Sequence, residues 1–280
     1  MKSARSVYCL VTVVLWTLLL LPVQSYALLV HPGLARRVPR FYHRGVSRIL
    51  GLRIEVIGKR WKDGATLYAV NHSSWLDIIV LSAVIPGSFV AKQEVAGWPG
   101  VGLLAKLQRS VFIVRKARHS AEHRDEMVSR LESGDNLILF PEGTSSDGNR
   151  VLPFKSSFFG VAEKAINGAP LPVQPMSVAY TRLGHLPLGR HMRPYFTWYG
   201  DMELGGHLWE ALGLGPVTAV VQFHPVMTIA TTGTRKIMSA RCEAVVREGV
   251  SNALTGRVHS ARPAPDIDVA ATSAPMTPRA

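Results

Sequence analysis

Apolar positions along the chain fall into two regimes. From Val7 to Val30 the sequence reads VYCLVTVVLWTLLLLPVQSYALLV, with no charged residue. That is long enough for a helix to cross a hydrocarbon core or to lie embedded in one leaflet, and Pro22 is expected to kink or interrupt it. The stretch that follows, LARRVPRFYHRGVSRILGLRIEV, interleaves Arg36, Arg37, Arg40, Arg44 and Arg48 with Leu34, Val38, Phe41, Tyr42, Val46, Ile49 and Leu50. Beside a hydrophobic anchor this pattern describes an interfacial helix; an ordinary amphipathic helix with a solvated basic face fits equally well.

Past this segment the pattern changes to short apolar runs separated by turns and helical stretches, as expected of an α/β domain with a central mixed sheet flanked by helices. Candidate strands are RIEVIG, TLYAV, SFVAK, SVFIV, NLILF, VQPMSVAY, PYFTWYG and VTAVVQFHPV. EHRDEMVSRLES places Met127, Val128 and Leu131 at helical spacing and stops at Gly134; SSFFGVAEKAING likewise reads as a helix stopped by glycine. GTRKIMSARCEAVVREGVSNAL reads as a late amphipathic helix. From Arg262 onward Pro, Ala and Ser dominate with little to bury, which predicts a disordered tail. The expected organisation is an anchor and basic interfacial segment over 1–50, one domain over 51–261 and a tail over 262–280.

Composition narrows the class. A 280-residue chain with 47% hydrophobic residues can bury one substantial core. Lys and Arg number 32 against 19 Asp and Glu, a net charge of +13 that favours an anionic partner. The apolar anchor points to an acidic membrane surface and not to nucleic acid. The arginines after the anchor place the body of the chain in the cytoplasm, against the inner membrane. A cleaved signal peptide, with SYA at Ser25–Ala27 as the cleavage site, is the competing expectation. The two cysteines, Cys9 and Cys242, suggest no disulfide framework and a reducing compartment.

Candidate chemistry starts at AVNHSSWLDII, from Ala69 to Ile79. A carboxylate on an apolar stretch must find a partner or suffer a large desolvation cost, and His72 is the obvious partner of Asp77. Residues five apart on a helix differ by about 140° in direction, so the two meet only if His72 sits on the turn before the helix. Ser73 or Ser74 would then be the N-cap and Asp77 would point back from the first turn. Such a pair holds one ring nitrogen protonated and frees the other as a general base. No G-x-S-x-G elbow occurs, and neither cysteine has a supporting context, so the attacking hydroxyl belongs to the substrate. A structural hydrogen-bonded pair remains open on these two residues alone.

Four blocks then carry a resemblance. NHSSWLD (Asn71 to Asp77), VFIVR (Val111 to Arg115), FPEGTSS (Phe140 to Ser146) and LPVQPMSV (Leu171 to Val178) are similar, in order and approximate spacing, to blocks of the glycerolipid acyltransferases, the 1-acylglycerol-3-phosphate acyltransferase family. The resemblance implies a membrane-bound O-acyltransferase in which His72 deprotonates a lysolipid hydroxyl and Asp77 orients it. That oxygen attacks the thioester of an acyl carrier protein or acyl-CoA, with no further cofactor and no metal. Arg115 would bind an anionic headgroup. Glu142, Gly143 and Thr144 would position the acceptor, with backbone N–H groups there as possible oxyanion donors. Pro175 matches the fourth block without an assignable role. The leading expectation is conversion of 1-acyl-sn-glycerol-3-phosphate to phosphatidic acid.

Two positions depart from the family pattern. Arg109 stands where the second block usually has glycine, and Ser145 replaces the arginine after the threonine of the third. An arginine there would grip phosphate bidentately; Arg109 or Lys155 could supply the missing charge. Alternatively the acceptor carries another headgroup, as in the lyso-ornithine lipid acyltransferases, which AKQEVAGWPGVGLLAKLQRSVF and FPEGTSSDGNRVLPFKSS also resemble. WPG with VGLLAKL is expected to be a membrane-dipping loop or plain core, the tryptophan favouring the interface. Two rival classes remain: a non-catalytic binder of anionic lipid or nucleic acid, and an exported zinc hydrolase built on HSAEH, His119 to His123.

Overall fold

The computed structural model describes residues 2–114 and 120–260. The apolar segment forms one helix, α1 (Lys2–Val30), unbroken at Pro22. α2 (Pro32–Leu50) starts on His31, whose Nδ1 accepts from Leu34 N–H, and ends at Gly51 in the left-handed region. The two helices lie antiparallel: Arg5 donates to the Leu50 carbonyl, Trp16 to that of Tyr42, and Gln24 to that of Ala35.

The rest builds a mixed sheet. In chain order the elements are β1 (Arg53–Ile57), β2 (Leu67–Val70), α3 (Leu76–Val84), β3 (Ser88–Lys92), α4 (Val101–Leu107), β4 (Val111–Ile113), α5 (Ser120–Glu132) and β5 (Leu137–Leu139). They continue with β6 (Ala165–Ile166), β7 (Ala169–Pro170), β8 (Val173–Leu183), β9 (Leu186–Pro187), α6 (Leu204–Leu214), β10 (Val217–Phe223), α7 (Ile229–Thr232) and α8 (Arg235–Leu254). The sheet runs β1-β10-β8-β2-β5-β3-β4, with β9 paired to β8. β2 is parallel to both β5 and β8, whereas β8 and β10 are antiparallel. All four β2 residues are buried because both sheet faces are covered. Leu67 and Ala69 join a core beneath α5 and α8; Tyr68 and Val70 join one beneath α2, α3 and α6.

Two expected elements are corrected. PYFTWYG is not a strand: Arg193–Tyr195 is a 3-10 turn and the following residues are a loop. Its amides bond elsewhere, Phe196 and Thr197 to the Arg193 carbonyl and Trp198 to that of Ser73. SSFFGVAEKAING is not one helix but a 3-10 segment, Ser156–Glu163, followed by the β6–β7 hairpin. Asn167 (φ 49°) and Gly168 (φ 81°) form its two-residue turn, which favours Asn-Gly. The expected tail and the candidate zinc ligand His119 lie outside the described residues, as does Arg115.

Candidate active site

Parallel pairing of β2 with β5 brings the first and third blocks side by side, because each follows the carboxyl end of its strand. Ligands in α/β sheets bind at such ends. Asn71 extends β2 with side-chain bonds to Val178 of β8, accepting from its N–H (2.8 Å) and donating to its carbonyl (2.9 Å). Residues 71–74 then run as a loop and α3 begins at Leu76, so His72 sits before the helix. The N-cap position is Trp75, not Ser73 or Ser74. The Ser74 hydroxyl still accepts from Leu76 N–H at 3.2 Å.

Asp77 is fully buried and accepts four hydrogen bonds. Its Oδ2 takes those of His72 Nδ1–H (2.9 Å), Ser73 N–H (2.7 Å) and Ser74 N–H (2.9 Å), and its Oδ1 that of the Tyr180 hydroxyl (2.7 Å). An ionised carboxylate suits four donors, and the first turn of α3 favours its charge. With Nδ1 donating to Asp77, Nε2 is the ring nitrogen that can accept a proton. The imidazole, with 20% of its side chain exposed, stacks on Phe140, ring centroids 4.0 Å apart and planes within 15°. Tyr180 and Phe140 were not singled out in the sequence. A buried tyrosine's need for a partner is the only signal that could have found the first. Burial and the Asp77 charge raise the Tyr180 phenol well above its ordinary value, so it stays a donor.

Glu142 is buried. Its Oε1 accepts from the His72 backbone N–H at 3.1 Å, while Oε2 is buried with no partner at hydrogen-bond distance among the described residues. Burial pushes its carboxyl up to about 8, the neighbouring charges of Asp77 and Glu243 adding to this and the N–H groups of His72 and Leu152 opposing it. Ser146 N–H donates to the His72 carbonyl at 2.9 Å, so the third block clamps the 71–74 loop from both sides of His72. Gly143, at φ 70°, gives its N–H to the Phe140 carbonyl at 3.0 Å, which removes it as an oxyanion donor. Thr144 is exposed beside it.

The departures from the block pattern are now placed. The Ser145 hydroxyl donates to the Trp198 carbonyl at 2.5 Å, tying the loop that replaced an expected strand to the third block. Trp198 meets Trp98 edge to face at 6.0 Å. Arg109 is not a spare cation: its guanidinium makes two bonds to Asp135 (3.2 and 2.7 Å) and its φ is 63°. Lys155 is exposed. Among the described residues no group of three or more His, Cys, Asp or Glu is arranged to hold a metal. His123 Nε2 accepts the Val114 N–H at 2.8 Å. Cys9 and Cys242 are buried and free.

Comparison with known proteins adds the lineage. Residues 53–179 match the Acyltransferase family. The chain is 45% identical over 246 residues to a lyso-ornithine lipid O-acyltransferase of Brucella abortus, covering 86% of this chain and 92% of that one. It is 38% identical over 273 residues to the protein of that name from Rhizobium meliloti, covering 95% and 94%. It is 33% identical over 212 residues to a 1-acyl-sn-glycerol-3-phosphate acyltransferase of Neisseria meningitidis, covering 75% and 79%. The fold matches the crystal structure of the LPA acyltransferase PlsC from Thermotoga maritima with a TM-score of 0.62 at 20% identity, over 90% of this chain and 97% of that one.

Proposed function

We propose, from the premise that the chain belongs to the Acyltransferase family and is a lysolipid acyltransferase, that it esterifies the free hydroxyl of lyso-ornithine lipid. The observation that carries the reaction is the His72–Asp77–Tyr180 chain, with Nε2 as the base. Nε2 takes the hydroxyl proton as that oxygen bonds to the thioester carbonyl carbon. The carbon–sulfur bond then breaks, and the proton passes to the departing thiolate. The donor is an acyl carrier protein or CoA thioester, and the step balances without a cofactor. One such positioned base contributes about 10² to 10⁴ in rate. Glu142 acts on the backbone of His72 and so positions it, with Gly143 and Thr144 completing that turn beside the acceptor.

Ser145 supports the acceptor assignment. In place of an arginine that would grip phosphate it offers a hydroxyl already engaged with Trp198. Arg109, one of the two substitutes named for that charge, is spent on Asp135. The two relatives aligned over 92% and 94% of their lengths both carry the lyso-ornithine name. Arg115 is assigned to the headgroup carboxylate on the strength of its block alone.

The membrane enters through α1, a helix long and apolar enough to cross a bilayer and largely uncovered by the rest of the chain. α2 lies alongside it, and Gly45 of α2 packs directly on Trp16, near the middle of α1. Spanning would therefore draw Arg40, Arg44 and Arg48 into hydrocarbon at roughly 2.5–3.5 kcal/mol each. We place α1 within one leaflet, the inner one, with the sheet on the cytoplasmic side. Exposed Trp98, Val101, Leu103 and Leu104 around α4 suit an interfacial loop.

The test offers the purified protein a labelled acyl thioester with lyso-ornithine lipid or with lysophosphatidate. Label in ornithine lipid, abolished by His72→Ala without loss of membrane attachment, is the expected result. Label in phosphatidate alone would return the acceptor to the phosphate class, and unchanged transfer by His72→Ala would remove the base.

A further inference from the structure

Four arginines line one open cleft of about 590 Å³ between α2, the end of α3 and the β1 edge: Arg40, Arg44, Arg48 and Arg60, over a floor that includes Ile54 and Phe223. Among the described residues, Arg40 and Arg44 each use only Nε, both donating to the Ala83 carbonyl (3.3 and 3.1 Å) at the end of α3. Their terminal nitrogens remain for a ligand. None of the four is paired with a carboxylate among the described residues, whereas Arg36, four positions earlier, is bound to Asp135. Burial, together with the charges of Arg44 and Arg60, pulls the Arg40 guanidinium below its ordinary value. Cations held this close, without a counter-charge, are arranged for an anion.

The place of the cleft says which anion. Arg37, Phe41, Arg44 and Arg48 form one exposed stripe along α2, and Phe41 is 56% exposed. Phe41 packs on Trp16 of α1, ring centroids 5.5 Å apart, next to Leu15 and Leu19, which are 61% and 63% exposed. The apolar face of α1 thus runs into the arginine stripe without a break. Where α1 lies in the acyl region, the stripe and the cleft behind it stand at headgroup height. The apolar floor suits the glycerol and first methylenes of a chain, and the arginines suit a phosphodiester.

We propose that this cleft seats the phosphate headgroup of one anionic glycerophospholipid of the bilayer, a site separate from the His72 centre that orients the enzyme on an acidic leaflet. It rests on α1 being embedded in that leaflet.

Flotation of the full chain with vesicles of phosphatidylcholine, with or without phosphatidylglycerol, tests it. Arg48→Gln/Arg60→Gln removes two cleft charges that carry no ion pair among the described residues, Arg60 also acting on the Tyr68 hydroxyl; Arg37→Gln removes an exposed charge from the same stripe outside the cleft. The double variant is expected to lose at least about tenfold in partition to anionic vesicles per arginine, as for a direct hydrogen bond between ions, with binding to neutral vesicles and acyl transfer in detergent micelles unchanged. Arg37→Gln is expected to lose about fivefold, the diffuse attraction of one surface cation. Equal losses from Arg37→Gln and the cleft arginines, or a double variant that keeps the anionic preference, would overturn the site. Inorganic phosphate that raises the melting temperature of the wild type at matched ionic strength, but not that of the double variant, would assign the cleft to a free anion and overturn the lipid. A wild type that binds no vesicle would sink the anchor reading instead.

Discussion

Two buried aspartates, Asp77 and Asp135, are both nearly inaccessible to solvent, and they are stabilised in opposite ways. Asp77 is held by two backbone amides, one phenol and one imidazole, all able to donate as neutral groups. Asp135 is held by three guanidinium groups, from Arg36 of α2, Arg109 after α4 and Arg130 of α5, at 2.7–2.8 Å. Burial alone would raise the Asp135 carboxyl, but hydrogen bonds and charge from Arg130 and Arg109 outweigh it and hold the group below its ordinary value. Neutral donors leave the negative charge of Asp77 in force, directed at His72, where in the proposed reaction it would stabilise a developing imidazolium. Three cations cancel the charge of Asp135 and spend it on joining three elements. The same side chain is thus the partner of the proposed base in one place and a rivet in the other.

Asp77→Asn should show the largest effect, since an amide cannot hold the imidazole in the productive tautomer. Acyl transfer at saturating acceptor is expected to fall by about 10³ to 10⁴, measured against a circular dichroism spectrum that stays native. Asp135→Asn should instead leave the turnover of the folded fraction unchanged. It removes one partner of a buried ionic cluster, so denaturant unfolding should show a loss of about 3 kcal/mol. The sign with pH follows: a lowered native carboxyl stabilises above the unfolded value, and that stability is lost as pH falls through the native one. Asp135→Asn should therefore flatten the acid limb of the stability curve.

Glu142 is the third buried carboxylate, and its partners are too few. Raised to about 8 from 4.5, it favours the fold when protonated, so its contribution is full below about 4.5 and declines as pH climbs towards 8. Glu142→Gln should match the wild type near pH 5 and exceed it in stability at pH 9, read from unfolding midpoints. Tyr180→Phe, the mildest change, removes one of four donors to Asp77. It should cost about 1.5–3 kcal/mol or less of stability and slow transfer several-fold without altering acceptor preference. A change in preference would mean that Tyr180 touches substrate.

Much of this was readable in advance because it is local. Alternating or unbroken apolar runs at Leu67–Val70, Leu137–Leu139 and Val217–Phe223 became strands, and the five-residue gap from His72 to Asp77 required a loop before a helix. The errors came where local pattern is ambiguous. PYFTWYG has strand composition, but its amides are claimed by turn carbonyls and by Ser73. Asn167-Gly168 reads as a helix stop, but the same pair also suits a hairpin turn. The short 3-10 segment before it, pressed on α8, has no strong period of its own.

What the sequence by itself determined is therefore which segments are apolar on which face, and that His72 and Asp77 could reach each other. The tertiary structure decided everything that depends on strand order. Pairing β2 with β5 buried Glu142 under the backbone of His72 and laid Phe140 on its ring, and pairing β2 with β8 delivered Tyr180 to Asp77. Arg109 stayed in a left-handed conformation, which costs a non-glycine residue about 1–2 kcal/mol, because Asp135 holds its side chain. Periodicity along a chain fixes directions relative to an axis, and only packing in three dimensions fixes which distant group stands in that direction.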